Sequence, residues 1–513
     1  MSNKEINMKA EVLLTRSYRE RLLVDAHRPT YHFAIPDDLG IPGDSNGAFF
    51  ADGIYHLMYL YKNSETDAFH WGHMSSLDLL HWRNHPDALT QFEGDRGCFS
   101  GGGFVDDDGT AYISFWKFAS PNRSKDRGGI AIAYSKPPYD VWERMENVAV
   151  ESTPTMWGVT DLEINGEIIH VGSADPSNIW KANGKYYIQT GNKPVLDRFG
   201  RGDNADPNYM GDWTDLFRSD DLKKWEYVGR FYDNSKMGVD DYPDATEDDM
   251  CPSFLPLYDK EENGNFTGKY LQLFISHNKG CQYYIGEMNG EKFVPEKHGR
   301  MTWKDTAYFA PEALIDDKNR QIVWTWLRDD LPNAFKRFGW TGVFGLPRNV
   351  WYEDGELKQA PVSEIDNLQY GHIAYTTADG ENVKVGDGTA CRIKGEWIGK
   401  EKCGVTVRIS QNGKEYTEIY YSPEEKKLVM DTTNSGCEGW CIREEAPFEL
   451  HVGEKLSLDI LIDKSVIEVY ANKRQAICRR VYPTDPKNST GVKLIGETPE
   501  KLDTYKMFPS NPY

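Results

Sequence analysis

The sequence predicts an all-β protein, and three observations support this: short apolar runs, turn dipeptides between them, and a repeated strand–turn–strand pattern. From about residue 30 to residue 365, short runs rich in Val, Ile, Tyr, Phe and Trp alternate with Gly, Asp, Asn and Pro. Examples are GAFFADGIYHLMYLY (47–61), KYYIQTGN (185–192) and QIVWTWL (321–327). Runs of this length and composition, bounded by turn residues, are typical of β-strands.

Tight turns join several of these runs in one recurring pattern. Asp52-Gly53 and Asn183-Gly184 each separate two strand-like runs, and such dipeptides supply the positive φ angles of two-residue hairpins. The element S-x-D-L-x-x-W occurs in SSLDLLHW (75–82) and again in RSDDLKKW (218–225), where we expect the outer edges of successive repeats. Repetition on this scale predicts a β-propeller, and a sandwich or barrel with accidental similarity is the alternative.

The two ends of the chain differ from this repeating region. Residues 8–26 carry apolar side chains at helical spacing, which predicts an amphipathic leader helix. Near residue 367 the pattern changes, and the alternation of Val466, Glu468 and Tyr470 is typical of a half-exposed sandwich strand. The predicted segments are a helical leader over 1–28, a propeller over 29–366 and a β-sandwich over 367–513.

Composition and charge restrict the partners. The formal net charge of −21 argues against nucleic acid and anionic membrane surfaces as partners, because both would be repelled, and favours a neutral substrate. Aromatic residues make up 13% of the chain, which suits a β-rich core and also a site that stacks sugar rings. No apolar stretch is long enough for a signal sequence or a membrane span, so we expect a cytoplasmic protein.

The sequence suggests neither a metal site nor a cofactor. The eight cysteines form no C-x-x-C pair, and in a reducing compartment they act as small hydrophobic residues. Cys437 and Cys441 would be the pair to form a disulfide in an oxidising compartment. Several histidines occur close together, but we expect them on different faces and strands, as hydrogen-bonding and surface groups. These are the histidines at 56, 70, 73, 81 and 85.

Three acidic segments lie just before or at the start of predicted strands. They are Asp44 in IPGDSNGAFFADG, Asp175 in SADPSNIWKANG, and residues 247–249 in ATEDDMCPSFLPL. In a propeller the innermost strand of each blade lines the central channel, so acids at such starts converge on one site. Ala205-Asp206-Pro207 repeats the A-D-P motif in a Gly- and Asp-rich loop without a following strand, and we do not include it.

These segments resemble glycoside hydrolase family 32, the sucrose- and fructan-active enzymes that include β-fructofuranosidases, levanases, inulinases and levan fructotransferases. The resemblance covers nearly the whole chain in order. It implies a five-bladed β-propeller followed by a β-sandwich, and a fructose-containing oligo- or polysaccharide as substrate. The matching segments include RPTYHFAIP (28–36), GDSNGAFFADGIYHLMYLY (43–61), HWGHMSSLDLLHW (70–82), CFSGGGF (98–104), SADPSNIW (173–180), DLKKWEYVG (221–229), MCPSFLPL (250–257), YFAPEALIDDKNRQIVWTWL (308–327), GLPRNV (345–350) and SVIEVYANKRQAICRRVYP (465–483).

By this resemblance, Asp44 matches the nucleophile, Asp175 the stabiliser of the transition state, and an acid before Cys251 the proton donor. Fructosyl transfer with retention needs one carboxylate to attack the anomeric carbon and an acid to protonate the leaving oxygen, with the two about 5 to 5.5 Å apart. The third carboxylate would hold sugar hydroxyls as positive charge develops.

The sequence departs from the family pattern at three places. Gly43-Asp44-Ser45-Asn46-Gly47 stands where Asn-Asp-Pro-Asn-Gly is usual, and Ala174 replaces an arginine. Met250 occupies the position of the usual glutamate, so we expect the acid from upstream and prefer Glu247, for its longer reach, over Asp248 or Asp249. These departures leave open a fructotransferase that forms or acts on difructose anhydrides, and a non-catalytic fructan binder.

The resemblance also implies supporting residues around the fructosyl unit. Asn46 would bond a hydroxyl, and Phe99-Ser100 would line the pocket. Tyr308 and Glu312 lie where the family places pocket residues of a later blade, and Glu312 is a second candidate for the acid or a specificity residue. Trp71 either packs on the sugar or belongs to the blade core, and the sequence favours neither.

Overall fold

The protein is built almost entirely of β-strands, which confirms the predicted class. A computed structural model describes residues 25–34, 40–63, 65–91, 97–118, 128–233, 247–328, 331, 338, 340 and 342–510. The predicted leader helix falls on residues 8–26, of which all before residue 25 lie outside this description. Among the described residues, no helix is long and apolar enough to cross a membrane. All eight cysteines lie in the described part and are free thiols.

The chain forms two compact units. One contains the described residues of 42–326 and 347–357, and the other contains those of 1–41, 327–346 and 358–513. Residues 25–34 therefore cluster with the C-terminal strands, and the predicted boundaries at 28 and 367 stay predictions.

The first two sheets follow one another along the chain and are antiparallel. The first has the order β1-β2-β3-β4, and the second has the order β5-β6-β7-β8 with β9 also paired to β7. The strands are β1 (Gly40–Ala51), β2 (Ile54–Asn63), β3 (Phe69–Ser76), β4 (Trp82–Leu89), β5 (Gly103–Val105), β6 (Ala111–Lys117), β7 (Gly129–Ser135), β8 (Glu143–Arg144) and β9 (Val150–Glu151).

A two-stranded hairpin precedes the third sheet, which has the order β12-β14-β15-β16, with β13 also paired to β14. The hairpin is β10 (Val159–Ile164) and β11 (Glu167–Gly172). The third sheet contains β12 (Ala174–Pro176), β13 (Trp180–Ala182), β14 (Lys185–Gly191), β15 (Trp213–Ser219) and β16 (Trp225–Asp233).

The fourth and fifth sheets repeat the same arrangement. Their orders are β17-β18-β19-β20 and β21-β22-β24-β25. The strands are β17 (Met250–Tyr258), β18 (Phe266–Ser276), β19 (Gly280–Asn289), β20 (Lys292–Arg300), β21 (Tyr308–Ile315), β22 (Gln321–Leu327), the short β23 (Val343–Phe344), β24 (Arg348–Glu353) and β25 (Glu356–Pro361).

The C-terminal strands form a six-stranded and a five-stranded sheet, with the orders β26-β36-β27-β32-β33-β34 and β31-β30-β29-β28-β35. The strands are β26 (Gln369–Ala374), β27 (Ala390–Trp397), β28 (Cys403–Ile409), β29 (Thr417–Ser422), β30 (Lys427–Asp431), β31 (Arg443–Pro447), β32 (Leu456–Asp463), β33 (Val466–Ala471), β34 (Gln475–Arg480), β35 (Gly491–Gly496) and β36 (Lys501–Met507).

Helical structure in the described residues is confined to short segments. An α-helical turn at Lys193–Val195 continues as a π-helical turn at Leu196–Gly200, and 3₁₀ turns occupy Pro207–Tyr209, Ser363–Leu368 and Thr377–Asp379.

The predicted hairpin turns are confirmed. Asp52 and Gly53 have φ angles of +52° and +77°, and Asn183 and Gly184 have +51° and +73°. Both pairs connect adjacent antiparallel strands, β1 to β2 and β13 to β14. Two successive left-handed residues match the right-handed twist of the strands that they join.

The hydrophobic core of the first unit lies between successive sheets. Phe49, Met58 and Trp71 of the first sheet pack with Ile113 and Phe115 of the second. A second cluster joins the second sheet to the third, and another joins the third to the fourth. Hydrophobic clusters therefore join the first four sheets in chain order.

Three of the histidines, His56, His73 and His85, lie on different strands as expected, but they share one sheet face, so the expectation of different faces is wrong for them. Met58 is paired with His73, and His73 with His85. Because side chains two residues apart on a strand point to the same side, His56 lies on the face of Met58 and thus of the other two histidines. The shared face results from the pairing of three strands, and the sequence does not show which residues are paired.

Candidate active site

Two of the predicted acids meet at one thiol. Asp44 lies on β1, Asp175 on β12 and Cys251 on β17, which are the first strands of the first, third and fourth sheets. The Sγ of Cys251 is 3.7 Å from Oδ2 of Asp44 and 3.5 Å from Oδ2 of Asp175. The sequence analysis expected the two carboxylates at one site, and in the structure they share a single donor.

Polar groups beside Asp44 fix its position. The Ser100 hydroxyl donates a hydrogen bond to Oδ2 of Asp44. The side-chain amide of Asn46 donates to the Asp44 carbonyl at 3.3 Å, and its Oδ1 accepts from the backbone N–H of Gly101 at 3.3 Å. Asn46 thus stabilises the turn that contains Asp44. Phe99, adjacent to Ser100, is half-buried.

The environment of Asp175 favours its neutral form. Burial, and next the charge of Asp44, raise the pKa of Asp175 from 3.8 to about 7, although His277 and Cys251 act in the opposite direction. Burial also raises the pKa of the Cys251 thiol well above its ordinary value, which keeps it a hydrogen-bond donor. Asp175 and Cys251 have φ angles of +37° and +48°. Non-glycine residues in this region carry backbone strain, which is common at functional sites.

Glu247 is buried, and both of its carboxylate oxygens have partners. Lys279 donates to Oε1, while Ser276 and Gln282 donate to Oε2, the latter at 2.9 Å. Each of these partners comes from the end of β18 or from the following hairpin. The described contacts of Glu247 are therefore within the fourth sheet and include neither Asp44 nor Asp175.

Asp249, which directly precedes β17, belongs to a group of buried carboxylates that also contains Asp212, Glu247 and Asp248. Burial, and next the charge of Asp212, raise the pKa of Asp249 well above its ordinary value. Oδ2 of Asp249 accepts from the Asn192 amide at 3.4 Å, and the Tyr284 hydroxyl donates to Oδ2 of Asp212 at 2.7 Å. Asp249 thus forms part of the packing between strands.

Asp248 contacts His277, the residue that follows β18. Its Oδ1 lies 3.2 Å from both the backbone nitrogen and Nδ1 of His277, and Arg201 Nη2 lies 3.8 Å from its Oδ2. Burial opposes protonation of His277, but the hydrogen bond and charge of Asp248 outweigh it, so the pKa of His277 is raised. Asp175 acts on His277 in the same direction. The sequence analysis did not identify His277, and only its place after an apolar run could have suggested it.

Two family models cover nearly the whole chain. Residues 32–361 match the glycosyl hydrolases family 32 N-terminal domain, and residues 367–507 match the glycosyl hydrolases family 32 C-terminal model. The chain belongs to glycosyl hydrolase family 32. The expectation of a glycoside hydrolase, and the resemblance on which it depended, are therefore confirmed.

Similar proteins support the same membership. The chain is 26% identical to the fructan 6-exohydrolase of Beta vulgaris, over 90% of this chain and 82% of that protein. It is 25% identical to the sucrose-6-phosphate hydrolase of Zymomonas mobilis, over 96% and 92% of the two chains. The crystal structure of fructan 1-exohydrolase IIa from Cichorium intybus has the same fold, with a TM-score of 0.76 at 19% identity over 95% of this chain and 98% of that one.

Three residues carried over from family 32 are enclosed by the protein. Trp71 is 0% exposed in the core of the first unit, and its Nε1 donates to the Phe99 carbonyl at 3.1 Å, so the core alternative describes its position. Tyr308 is also 0% exposed, with the Arg348 guanidinium 4.4 Å from its ring centre.

Glu312 likewise faces the protein interior. Its Oε1 accepts from the backbone nitrogens of Ala48 at 2.9 Å and Gly103 at 3.3 Å. Burial raises the pKa of Glu312 well above its ordinary value, although these two amides oppose the shift. Glu312 therefore connects β21 to β1 and β5.

Proposed function

We propose that this family 32 chain is a retaining β-fructosidase that cleaves or transfers fructosyl units of sucrose or a fructan. The convergence of Asp44 and Asp175 on the Cys251 thiol carries the proposal, because it brings two carboxylates to one point at 3.7 and 3.5 Å. The names of the relatives, fructan exohydrolase, levanase and sucrose-6-phosphate hydrolase, support a fructose-containing substrate. A cytoplasmic location stays a prediction from the sequence.

We further propose that the five sheets of the first unit are the blades of a propeller and that the two C-terminal sheets form a sandwich. The four-strand path recurs in chain order, and hydrophobic clusters lie between successive sheets. Asp44, Asp175 and Cys251 all lie on first strands, where a propeller has its central channel.

In the proposed mechanism, Asp44 attacks the anomeric carbon of fructose while the bond to the leaving oxygen breaks. Ser100 orients the Asp44 carboxylate for this attack. Asp175 interacts with the sugar hydroxyls, and its interaction strengthens as positive charge develops on the ring. Water, or a second sugar hydroxyl, then attacks the fructosyl–Asp44 ester from the other side, which restores the carboxylate and retains the configuration.

The proton donor to the leaving oxygen is a separate question. Glu247 is the acid predicted from the sequence, but an acid needs an oxygen that can face the substrate, and both oxygens of Glu247 are engaged. We therefore propose His277, oriented by Asp248, as the donor. Met250 pairs with Ile275, so the end of antiparallel β18, and His277 after it, lie beside the start of β17 and Cys251.

Product analysis tests these assignments. The wild-type protein and the variants Asp44→Asn, Glu247→Gln and His277→Asn are incubated with sucrose, inulin and levan, and the released sugars are separated. Asp206→Asn, in the exposed loop that repeats the A-D-P motif, is the matched control. We expect the control to keep activity. We expect His277→Asn to lose at least about a hundredfold in kcat, as general acid catalysis contributes this much or more. Asp44→Asn should lose turnover, because an amide cannot replace the attacking carboxylate.

The outcomes separate the remaining alternatives. If Glu247→Gln loses activity and His277→Asn keeps both its rate and its pH profile, the donor is Glu247. Release of a difructose anhydride would identify a fructotransferase. A wild-type protein that binds fructan without turnover would contradict the enzymatic proposal and would favour the non-catalytic binder, for which the loss of the usual glutamate at Met250 is the motivating observation.

A further inference from the structure

Three imidazoles form a cluster in the first sheet, apart from the carboxylates described above. His56 lies on β2, His73 on β3 and His85 on β4, and all three share one sheet face. His56 and His73 are 2% and 1% exposed, and the side chain of His85 is 6% exposed. One ring nitrogen from each residue can be chosen so that the three lie within 4.8 Å of one another.

The hydrogen bonds of the cluster leave coordinating capacity unused. Nδ1 of His56 and Nε2 of His73 are 2.9 Å apart and share one hydrogen bond. Nε2 of His56 and Nδ1 of His73 are buried without a hydrogen-bond partner among the described residues. When an ion takes the facing nitrogens, Nδ1 of His56 and Nε2 of His73, each ring carries its proton on the far nitrogen, so both facing nitrogens offer a lone pair.

His85 shows the surroundings that are typical of a metal ligand. Its Nδ1 lies 2.5 Å from Oδ1 of Asp140, and its Nε2 lies 2.7 Å from the Ser75 hydroxyl. Histidines that bind metals usually donate the other ring N–H to a carboxylate, which fixes the tautomer and directs the free nitrogen to the ion. Asp140 can serve this role, and Nε2 is then the ligand.

We propose that His56, His73 and His85 bind one divalent transition-metal ion, with Zn²⁺ as the best match. Three neutral imidazoles suit Zn²⁺ better than Mg²⁺ or Ca²⁺, which prefer oxygen ligands. Tetrahedral Zn²⁺ with bonds of 2.0–2.1 Å needs nitrogens about 3.3 Å apart, so the 2.9 Å pair opens slightly and His85 moves toward it. The Ser75 hydroxyl or a water would fill the fourth position.

The ion would have a structural effect. The rings of Phe49, Tyr139 and Trp142 surround the histidines, and Tyr139 and Trp142 flank Asp140 on the segment between β7 and β8. An ion held by the first sheet, with Asp140 behind His85, would therefore link the first sheet to the second. Because the ion binds the folded state, it raises the stability of that state.

Metal titration of the full-length protein tests the proposal. Protein stripped with a chelator is titrated with Zn²⁺ by calorimetry, and its melting temperature is measured with and without the ion. We expect one bound Zn²⁺ and an increase of several degrees. His85→Gln, at the rim of the cluster, should abolish both effects. His81→Gln removes an exposed histidine that pairs with Asp78, and this control should bind as the wild type does.

A spectroscopic measurement makes the test independent of variant folding. Co²⁺ in place of Zn²⁺ should give the visible absorption of a four-coordinate site with three nitrogen ligands in the wild-type protein, and this band should disappear in His85→Gln. The proposal is overturned if stripped wild-type protein binds no Zn²⁺ at submillimolar concentration. It is equally overturned if His81→Gln loses the binding while His85→Gln keeps it.

Discussion

The thiol of Cys251 lies 3.5 Å from the Oδ2 atom of Asp175, and the same sulfur lies 3.7 Å from a carboxylate oxygen of Asp44. A thiol is a weak donor, and here it is enclosed in the protein and stays protonated because burial raises its pKa. The hydrogen bond stabilises the charged form of Asp175, which burial and Asp44 disfavour. Cys251, together with the charge of His277, therefore lowers the pKa of Asp175 and increases its ionised fraction.

Replacing Cys251 tests this role. Cys251→Ala removes the donor, so the pKa of Asp175 should rise further above about 7 and the acid limb of the kcat/KM profile should move to higher pH. Loss of one hydrogen bond to a charged group is worth about 1.5–3 kcal/mol, which corresponds to roughly a tenfold to hundredfold fall in kcat/KM at pH 6. Cys251→Ser keeps a donor and should stay within a few-fold of wild type. Equal rates and equal pH profiles for the two variants would contradict the assignment.

Asp175 should also decrease stability at high pH. For a carboxyl whose folded pKa is raised, from 3.8 to about 7, the native state binds the proton more tightly than the unfolded state. Stability is therefore lost as pH rises from about 4 to about 7, and the full cost above pH 7 is on the order of 4 kcal/mol. Asp175→Asn removes this cost, so its melting temperature should exceed that of the wild type more at pH 8 than at pH 4.5.

The matched control for this pH dependence is Asp206→Asn, because Asp206 is exposed. Its melting temperature should follow that of the wild type at both pH values. A difference between Asp175→Asn and wild type that is the same at pH 4.5 and pH 8 would show that Asp175 has no raised pKa in the folded protein.

The repeated turns could be predicted from the sequence because their residues act locally. In both copies of S-x-D-L-x-x-W, the aspartate, Asp78 or Asp221, accepts hydrogen bonds from the backbone nitrogens two and three residues later. The leucine that follows has a φ angle of +64° at Leu79 and +63° at Leu222. Both copies connect the third and fourth strands of their sheets. The sequence analysis expected them at the outer edge of successive repeats, and this position in the strand order agrees with that expectation.

The proton donor could not be predicted in the same way, because its surroundings are formed by distant residues. Glu247 was preferred for its reach, yet its partners Ser276, Lys279 and Gln282 lie 29 to 35 residues further along the chain. Only strand pairing brings them to Glu247. Asp44 and Asp175 were predicted because short motifs mark them, whereas the Cys251 thiol that joins them was used only as a marker of the acid segment.

Two variants of Glu312 distinguish a packing role of this residue from a role as the catalytic acid. Its Oε1 accepts from the buried nitrogens of Ala48 and Gly103, and burial raises its pKa, which favours the neutral side chain. Glu312→Gln keeps this oxygen and the neutral state, so activity and melting temperature should stay close to wild type. Glu312→Ala leaves two buried N–H groups unpaired, each costing about 1–3 kcal/mol, and should lower the melting temperature strongly. Loss of turnover in a stable Glu312→Gln protein would instead make Glu312 the acid.

His32 stabilises the C-terminal unit through a buried charge network whose effect depends on pH. Its Nδ1 lies 3.0 Å from Oδ2 of Asp463 and its Nε2 lies 3.3 Å from Oε1 of Glu468, with all three side chains 0% exposed. Burial lowers the pKa of His32, but the hydrogen bonds and charges of these two carboxylates outweigh it, so the pKa lies above 6.5. The pKa of Asp463 is lowered because the His32 pair and backbone N–H groups outweigh its burial.

The direction of the pH effect follows from the raised pKa of His32. The stabilisation is complete below pH 6.5, the value in the unfolded chain, and it is lost as pH rises through the folded pKa. His32→Gln leaves two buried carboxylates without their cation, a change that costs about 3–5 kcal/mol in comparable buried pairs. Its melting temperature should therefore fall furthest below wild type near pH 6 and approach it near pH 9. His372→Gln, whose partner Asp503 forms a half-exposed pair with it at 2.7 Å, is the control and should change little at either pH. If the deficit of His32→Gln were the same at pH 6 and pH 9, His32 would act by packing alone and the charge network would not contribute.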